Sequence, residues 1–402
     1  MRLHRNLTEA VIEGLGFIFN EQQYADKVVE RQLKKDKRWG ARDRAFIAET
    51  MYDIVRWKRL YAEIAEVKAP FSSHDLFRMF AVWAVLKGVH LPDWSCFENT
   101  PQRRIKGKFD ELSKIRKFKD SVPDWLDALG EAELGSDIWS KELTALNELA
   151  PVVLRVNTLK IAPAQLKNLL RNEGIETKLL KSYPEALELI QRANIFTTKA
   201  FSSGMFEVQD ASSQRVAPFL EVLPSMRVID TCAGAGGKTL HLASLMKNKG
   251  QIIAMDIYEN KLQELKRRAR RNEVFNIETK VIDNKHLKRM QNTADRVLID
   301  APCSGLGVLK RNPDAKWKLQ PEFLNKIRET QQQILQDYSK MVKPGGKMVY
   351  ATCSILPSEN QKQVETFLES EAGKNFIFET EENIFAHQTG YDGFYMARMR
   401  KK

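Results

Sequence analysis

Two of the four cysteines stand where a thiol could do chemistry: Cys303 in DAPCSG (300–305) and Cys353 in ATCS (351–354). Each ends an apolar, β-branched run, RVLID (296–300) and GKMVYATC (346–353), that reads as a strand. Carbon 5 of a pyrimidine is a poor nucleophile toward a sulfonium methyl. A thiolate that adds to carbon 6 converts the ring into an enamine-like adduct whose carbon 5 is nucleophilic. A base then removes the carbon 5 proton and the thiol leaves. The thiol must ionise, so cations help, and Lys310, Arg311 and Lys316 follow Cys303 closely. A stacked base must also leave its stack to reach such a pocket. One isolated cysteine is as well explained by packing. Two at equivalent strand ends in one crevice fit packing less well.

A second constellation lies upstream. MRVID (226–230) runs into TCAGAGGKT (231–239) and then a helix. As a phosphate loop of the form G-x-x-x-x-G-K-[ST], the segment keeps Gly237, Lys238 and Thr239 but has Cys232 where the first glycine belongs. As G-x-G-x-x-G it has Gly234 and Gly236 but Thr239 at the third position. The remaining reading is a loop for S-adenosylmethionine (SAM), which carries no phosphate and needs close backbone contact plus an acid for its ribose hydroxyls. Asp256 ends the next strand, 19 residues after Gly237, near the ~20 expected for a ribose carboxylate. Asp283 ends a third strand candidate, TKVID (279–283), at a position to accept from the adenine amine. Each aspartate alone is also a common loop cap.

These residues need a scaffold. Strand candidates at 226–230, 251–256, 279–283, 296–300 and 346–353 alternate with helical patterns such as 259–272. This predicts an α/β, doubly wound parallel sheet, with ligands beyond the carboxyl ends of its strands. Residues 1–140 read as all-helical: Leu7, Val11, Leu15 and Ile18 share one face, as do Ile47, Met51, Ile54 and Val55. Residues 141–205 read as a small α+β insert: strand at 151–160, helix at 163–174, then short apolar runs. The catalytic domain takes 206–402.

At 402 residues and 43% apolar content, the chain is long enough for about three such domains. The longest apolar run, Met79–Leu86, is too short to cross a membrane, and Glu9 and Glu13 argue against a signal peptide. No C-x-x-C pair occurs among Cys96, Cys232, Cys303 and Cys353, so a zinc knuckle and a disulfide framework are both disfavoured and a cytoplasmic protein is expected. No metal is expected. The net charge of +12 suits an anionic partner. Basic runs lie at 101–120, 261–271 and 309–318. Each reads either as a solvated face or as an RNA contact, with RNA favoured for 309–318 because it directly follows Cys303, and with Trp317 either stacked on a base or packed.

The segments FEVQDASSQ (206–214), DTCAGAGGKT (230–239), DAPCSGLGVLKRNPDAKW (300–317), KPGGKMVYATCSILPSEN (343–360) and DGFYMARM (392–399) resemble the RsmB/NOP family of RNA cytosine-5 methyltransferases. The resemblance implies a Rossmann-like class I SAM-dependent methyltransferase domain, with Cys353 as the nucleophile and Cys303 as the thiol of proton removal and release. It implies a SAM set of Cys232, Ala233, Gly234, Ala235, Gly236, Gly237, Lys238, Asp256, Asp283 and Asp300, the last beside both the methionine end of the cofactor and the target base. The family loop usually reads C-A-A-P-G-G-K-T; here Gly234-Ala235 replaces Ala-Pro, which frees the backbone. The segment KDKRWGARDRAFIAETMYDIVRW (35–57) resembles the NusB-like helical RNA-binding domain fused to some members, and LRVNTLK (154–160) the family's small pre-catalytic domain. These imply an enzyme acting on RNA, with small-subunit 16S rRNA preferred; the sequence leaves the oligomeric state open, with a monomer favoured. A tRNA enzyme or a non-catalytic ribosome-assembly factor are the alternatives.

Overall fold

In four strands the apolar residues run without interruption instead of alternating with polar ones, the mark of strands buried on both faces. The computed structural model, which describes residues 2–402, shows why. Val228, Ile252, Ala254, Leu298, Val349 and Ala351 face one apolar core, and Ile229, Ile253, Met255, Val297, Ile299, Met348 and Tyr350 face another. Successive side chains point to opposite faces of a strand, so each run feeds both cores at once.

The chain forms two compact units: residues 1–148 with 309–320, and residues 149–308 with 321–402. The second holds two sheets. Strands β1 (Val153–Val156), β2 (Thr177–Leu180), β3 (Tyr183–Leu189) and β4 (Phe206–Val208) pair in the order β2-β3-β1-β4, all antiparallel. The helix Pro163–Asn172 packs Leu166 and Leu170 on this sheet.

The larger sheet contains β5 (Arg227–Asp230), β6 (Gln251–Asp256), β7 (Ile277–Val281), β8 (Ala294–Asp300), β9 (Val342–Thr352), β10 (Phe376–Ile384) and β11 (Phe394–Lys401), in the order β10-β11-β9-β8-β5-β6-β7. The pairs among β5 to β9 are parallel, as the alternation predicts, and the sequence direction reverses at β5, which is where such sheets open a crevice. The antiparallel edge of β10 and β11 was not legible from the alternation, because no helix separates the two strands except the one-turn segment Ala386–Thr389.

The first unit is helical, with its main helices at Arg5–Phe19, Ala25–Leu33, Ala41–Arg56, Lys58–Ala65, Ser73–Leu86, Gln102–Leu112, Asp124–Leu134 and Ser136–Leu146. Leu7, Val11, Leu15, Ile18, Ile47, Met51, Ile54 and Val55 are all buried in its core, as their spacing requires. The surprise is Leu309–Gln320, which leaves the α/β unit between β8 and β9 to complete the helical one. Arg56 donates to the carbonyls of Leu309 and Lys310, the Trp317 indole donates to the Val55 carbonyl at 2.7 Å, and Asp314 accepts from the Ala25 amide at 3.0 Å. Lys316 is buried and reaches Asn147 Oδ1 at 3.1 Å, and burial holds its ammonium well below the usual lysine range. The run 309–318 thus places Lys310, Lys316 and Trp317 in packing, whereas the sequence favoured RNA contact for the run and left only Trp317 between stacking and packing. Among the described residues, no helix is long and apolar enough to cross a membrane.

Candidate active site

The alternation of the strands decides which side chains meet. Ile229, Met255 and Ile299 face one core, so the residues that follow them, Asp230, Asp256 and Asp300, turn to the other side of the sheet. That side carries the helices Gly237–Leu245 and Glu259–Asn272, through Leu240, Leu242, Leu265 and Ala269. Cys353, two residues after Ala351, packs on the same side. The aspartates and the thiol therefore share the carboxyl edge above the glycine loop.

The loop is held by side chains from three directions. Asp256, buried, accepts the Gly234 amide on one oxygen and the Tyr258 amide on the other, both at 2.8 Å. Gly234 and Gly236 have φ of +54° and +88°, conformations open to glycine at no steric cost. A Cβ at Gly236 would lie 2.5 Å from Leu265, so the helix Glu259–Asn272 packs directly on the loop. Arg268 of that helix donates to the Ala235 carbonyl at 2.8 Å and to Glu207 of β4 at 3.0 Å. Arg155 of β1, also buried, bonds the Gly237 carbonyl, and burial lowers its pKa only to about 10, so it stays charged at neutral pH. Two arginines thus tie the loop to the small sheet. Arg271 also bonds Glu207, so part of the basic helix that sequence left between solvent and RNA is committed to this brace.

Beneath the loop, buried Asp230 accepts from the Thr239 hydroxyl at 2.7 Å, while its other oxygen has no partner. Burial, opposed by that hydroxyl and reinforced by the charge of Asp300, pushes this carboxyl up to about 7. Lys238 pairs with Asp300 at 2.6 Å. Burial works against the Lys238 charge, but Asp300, a Cys353 thiolate and Asp230 outweigh it and raise the ammonium above its ordinary range. Lys238 is therefore the cation that bears on Cys353. Burial and the neighbouring carboxylates push the Cys232 thiol well up, so it sits in the loop as a neutral group.

Cys303 and Cys353 meet. Asp300 of β8 stands opposite Ala351 of β9 in parallel register, so the segments that leave the two strands run side by side. Cys303 and Cys353 are both partly exposed free thiols, with their sulfurs 3.3 Å apart. The contact with Cys353 and burial push the Cys303 thiol well up, with the charges of Cys353 and Glu359 adding to the effect. The Gly307 amide donates to the Cys353 carbonyl at 2.9 Å and the Gly393 amide to the Gly307 carbonyl at 2.7 Å. A Cβ at Gly307 would lie 2.2 Å from the Gly393 carbonyl oxygen, so this three-segment junction requires glycine.

Asp283 lies apart from this network. β7 ends at Val281, and Asp283 is exposed, capping the helix Asn284–Arg289 by accepting the His286 amide at 2.6 Å. That bond holds its carboxyl below the usual range.

The donor set fits SAM. Each oxygen of Asp256 accepts one amide and retains a lone pair for a vicinal diol. The exposed Ile257 and Tyr258 offer apolar surface beside it, and nothing lies within 4 Å of the Cβ position of Gly234, which leaves room along the backbone. No phosphate-binding array is required.

Sequence reasoning missed Asp230, Arg155, Glu207 and Glu359, and read Arg268 only as part of the basic run 261–271. Only Asp230 carried a signal, as the terminal residue of a strand run, like Asp256 and Asp300.

Comparison with known proteins identifies the family. Residues 217–400 match the family described as 16S rRNA methyltransferase RsmB/F, and residues 122–196 match the ferredoxin-like domain of RsmF/B-like methyltransferases. A probable ribosomal RNA small subunit methyltransferase B from Synechocystis is 33% identical over 96% of this chain and 97% of its own length. One from Bacillus subtilis is 33% identical over 70% of this chain, and the match spans 65% of that protein. The crystal structure of PH0851 superposes with a TM-score of 0.83 at 26% identity over the full length of both chains. The chain belongs to the RsmB/F family of SAM-dependent RNA methyltransferases.

Proposed function

We propose that the chain methylates carbon 5 of a cytosine in small-subunit 16S rRNA through a covalent adduct between Cys353 and carbon 6. The observation that carries the reading is the pair of thiols 3.3 Å apart at the carboxyl edge.

Cys353, as the thiolate, adds to carbon 6 and leaves carbon 5 electron-rich. SAM, when bound, supplies an electrophilic methyl group. Formation of the carbon–sulfur bond removes the Cys353 charge that opposed ionisation of Cys303, so Cys303 releases its proton to solvent. The Cys303 thiolate then takes the carbon 5 proton. The freed electron pair restores the ring double bond and expels Cys353 as a thiolate, so the pair returns to its starting state. Asp256 binds the ribose hydroxyls of the cofactor. Asp283 accepts from the adenine amine with the lone pairs its helix cap leaves open. Cys232, Ala233, Gly234, Ala235, Gly236 and Gly237 line the methionine end, and Asp300 orients Lys238.

Small-subunit rRNA as substrate rests on the relatives' names. Cys353→Ala is expected to lower methyl transfer by at least about 10³-fold with SAM affinity within twofold. Cys303→Ala is expected to trap RNA on Cys353 as a shifted band on a denaturing gel. Turnover in Cys353→Ala, or no shifted band with Cys303→Ala, rejects the covalent route. Bisulfite sequencing of RNA from cells with and without the gene locates the base. A signal confined to tRNA rejects rRNA as substrate.

A further inference from the structure

The side chain with the most connections at the thiol edge belongs to neither cysteine. Glu359, the last residue of the one-turn helix Pro357–Glu359 after β9, is fully buried. Its carboxylate accepts the Ser304 amide at 2.7 Å, the Ser304 hydroxyl at 2.5 Å, the Ser354 hydroxyl at 2.6 Å and the Gln331 amide nitrogen at 3.3 Å. Ser304 follows Cys303 and Ser354 follows Cys353, so one carboxylate clamps both thiol-bearing loops. Gln331 also holds the Pro302 carbonyl at 2.9 Å, adding a second tie on the Cys303 side. Around the clamp, Tyr350 donates to the Glu359 carbonyl at 2.7 Å, and Asn360 bonds Thr352 and the Ser354 carbonyl.

The clamp is symmetric in its hydroxyl bonds but not in its charge. Glu359 makes its backbone bond beside Cys303, whereas the cation Lys238 bears on Cys353. An anion near one thiol and a cation near the other polarise the pair. Four donors around this dry carboxylate supply the hydrogen bonds that burial of a carboxylate requires.

The geometry points to Glu359 as the positioning residue of the thiol pair: it fixes the two loops in one arrangement and keeps the shared proton on Cys303, leaving Cys353 as the nucleophile. This rests on the covalent reading above, but its decisive test does not. The burial of Glu359 and the Cys303 shift toward the protonated form agree with it.

The test is alkylation of each thiol by iodoacetamide across pH 6–10 in the full-length protein, followed by mass spectrometry. In the native chain Cys353 reacts first and Cys303 at least tenfold more slowly. Glu359→Gln keeps the shape and removes the charge. It is expected to speed Cys303 alkylation about tenfold, move its midpoint to lower pH, and lower single-turnover methyl transfer more than tenfold at unchanged SAM affinity. Glu359→Asp, which keeps the charge, is expected to restore the native order of reaction. An unchanged Cys303 profile in folded Glu359→Gln overturns the inference. Should Glu359→Gln fail to fold, Ser354→Ala removes the arm to the Cys353 loop and leaves the charge and the Cys303 bonds in place. It is expected to slow transfer about tenfold with the Cys303 profile unmoved, and a moved profile or native transfer rate overturns the inference. If the native chain forms no adduct with RNA, the covalent reading fails while the alkylation contrast still decides the role of Glu359.

Discussion

Asp256 and Glu359 are both buried carboxylates at the carboxyl edge of one sheet, yet they hold their halves of the site in different ways. Asp256 accepts two backbone amides from adjacent segments and faces the ligand crevice. Glu359 accepts four bonds from three separate segments, all from this chain. The cofactor half is thus an open acceptor on a glycine loop, and the thiol half is a closed network around reactive groups. A SAM site must admit and release its ligand at every turnover, so its polar groups keep unused capacity. A nucleophile pair must hold one geometry, so its supporting carboxylate is saturated with donors.

The largest expected effect tests the open half. Asp230 has an unpartnered oxygen and a carboxyl near pH 7 against its ordinary 3.8. Because the folded-state pKa is raised, the folded chain binds a proton that the unfolded chain has already lost between about pH 4 and 7. Stability is therefore greatest at the acid end, falls as pH rises through that window, and stays reduced above it. A shift of about 3 units corresponds to roughly 4 kcal/mol. Asp230→Asn keeps an acceptor for Thr239 and removes the charge, so it is expected to flatten this dependence and exceed the native chain in stability at pH 8. Denaturant melts at pH 5 and 8 on both proteins measure it, and parallel curves would show that the cofactor half carries no such strain.

The two halves also differ in how far sequence could reveal them. Asp256 was legible because one strand run, one acidic terminus and one interval from Gly237 are all local pattern. The parallel sheet was legible for the same reason: Ile252, Ile253, Ala254 and Met255 form an unbroken run that only a doubly covered strand supports. Glu359 was not legible, because its role needs Ser304 and Ser354 to converge across fifty residues. That convergence comes from the pairing of Asp300 with Ala351, and register is a tertiary fact. The segment 309–318 was ambiguous for a related reason. A basic run with a tryptophan has the same composition whether it lies against RNA or packs Lys316 and Trp317 into a helical core, and only burial separates the two.

An intermediate effect is expected from Asp256→Ala. It removes the acceptor of the Gly234 and Tyr258 amides and the proposed ribose carboxylate together, and should weaken SAM binding by about 2 kcal/mol, or some thirtyfold. Calorimetric titration with SAM reads it. The comparison sharpens if the iodoacetamide profiles of Cys303 and Cys353 do not change, because among the described residues the bonds of Asp256 run to Gly234 and Tyr258 and not to the Glu359 network. A changed thiol profile would mean that the halves are one coupled unit.

The smallest effect concerns Gly234, where this chain departs from the loop usual in its family. Its φ of +54° costs a glycine nothing and an alanine about 1 kcal/mol. No atom lies within 4 Å of the Cβ that Gly234→Ala would add, so the cost is conformational and not steric. At Gly236 the same addition meets Leu265 at 2.5 Å, and the helix must move. Gly234→Ala is therefore expected to weaken SAM binding no more than about fivefold, with the melting temperature nearly unchanged, whereas Gly236→Ala should lower both. Equal losses at the two positions would mean that the loop tolerates no change anywhere along it. The openness assigned to the cofactor half would then belong to its carboxylate alone and not to its backbone.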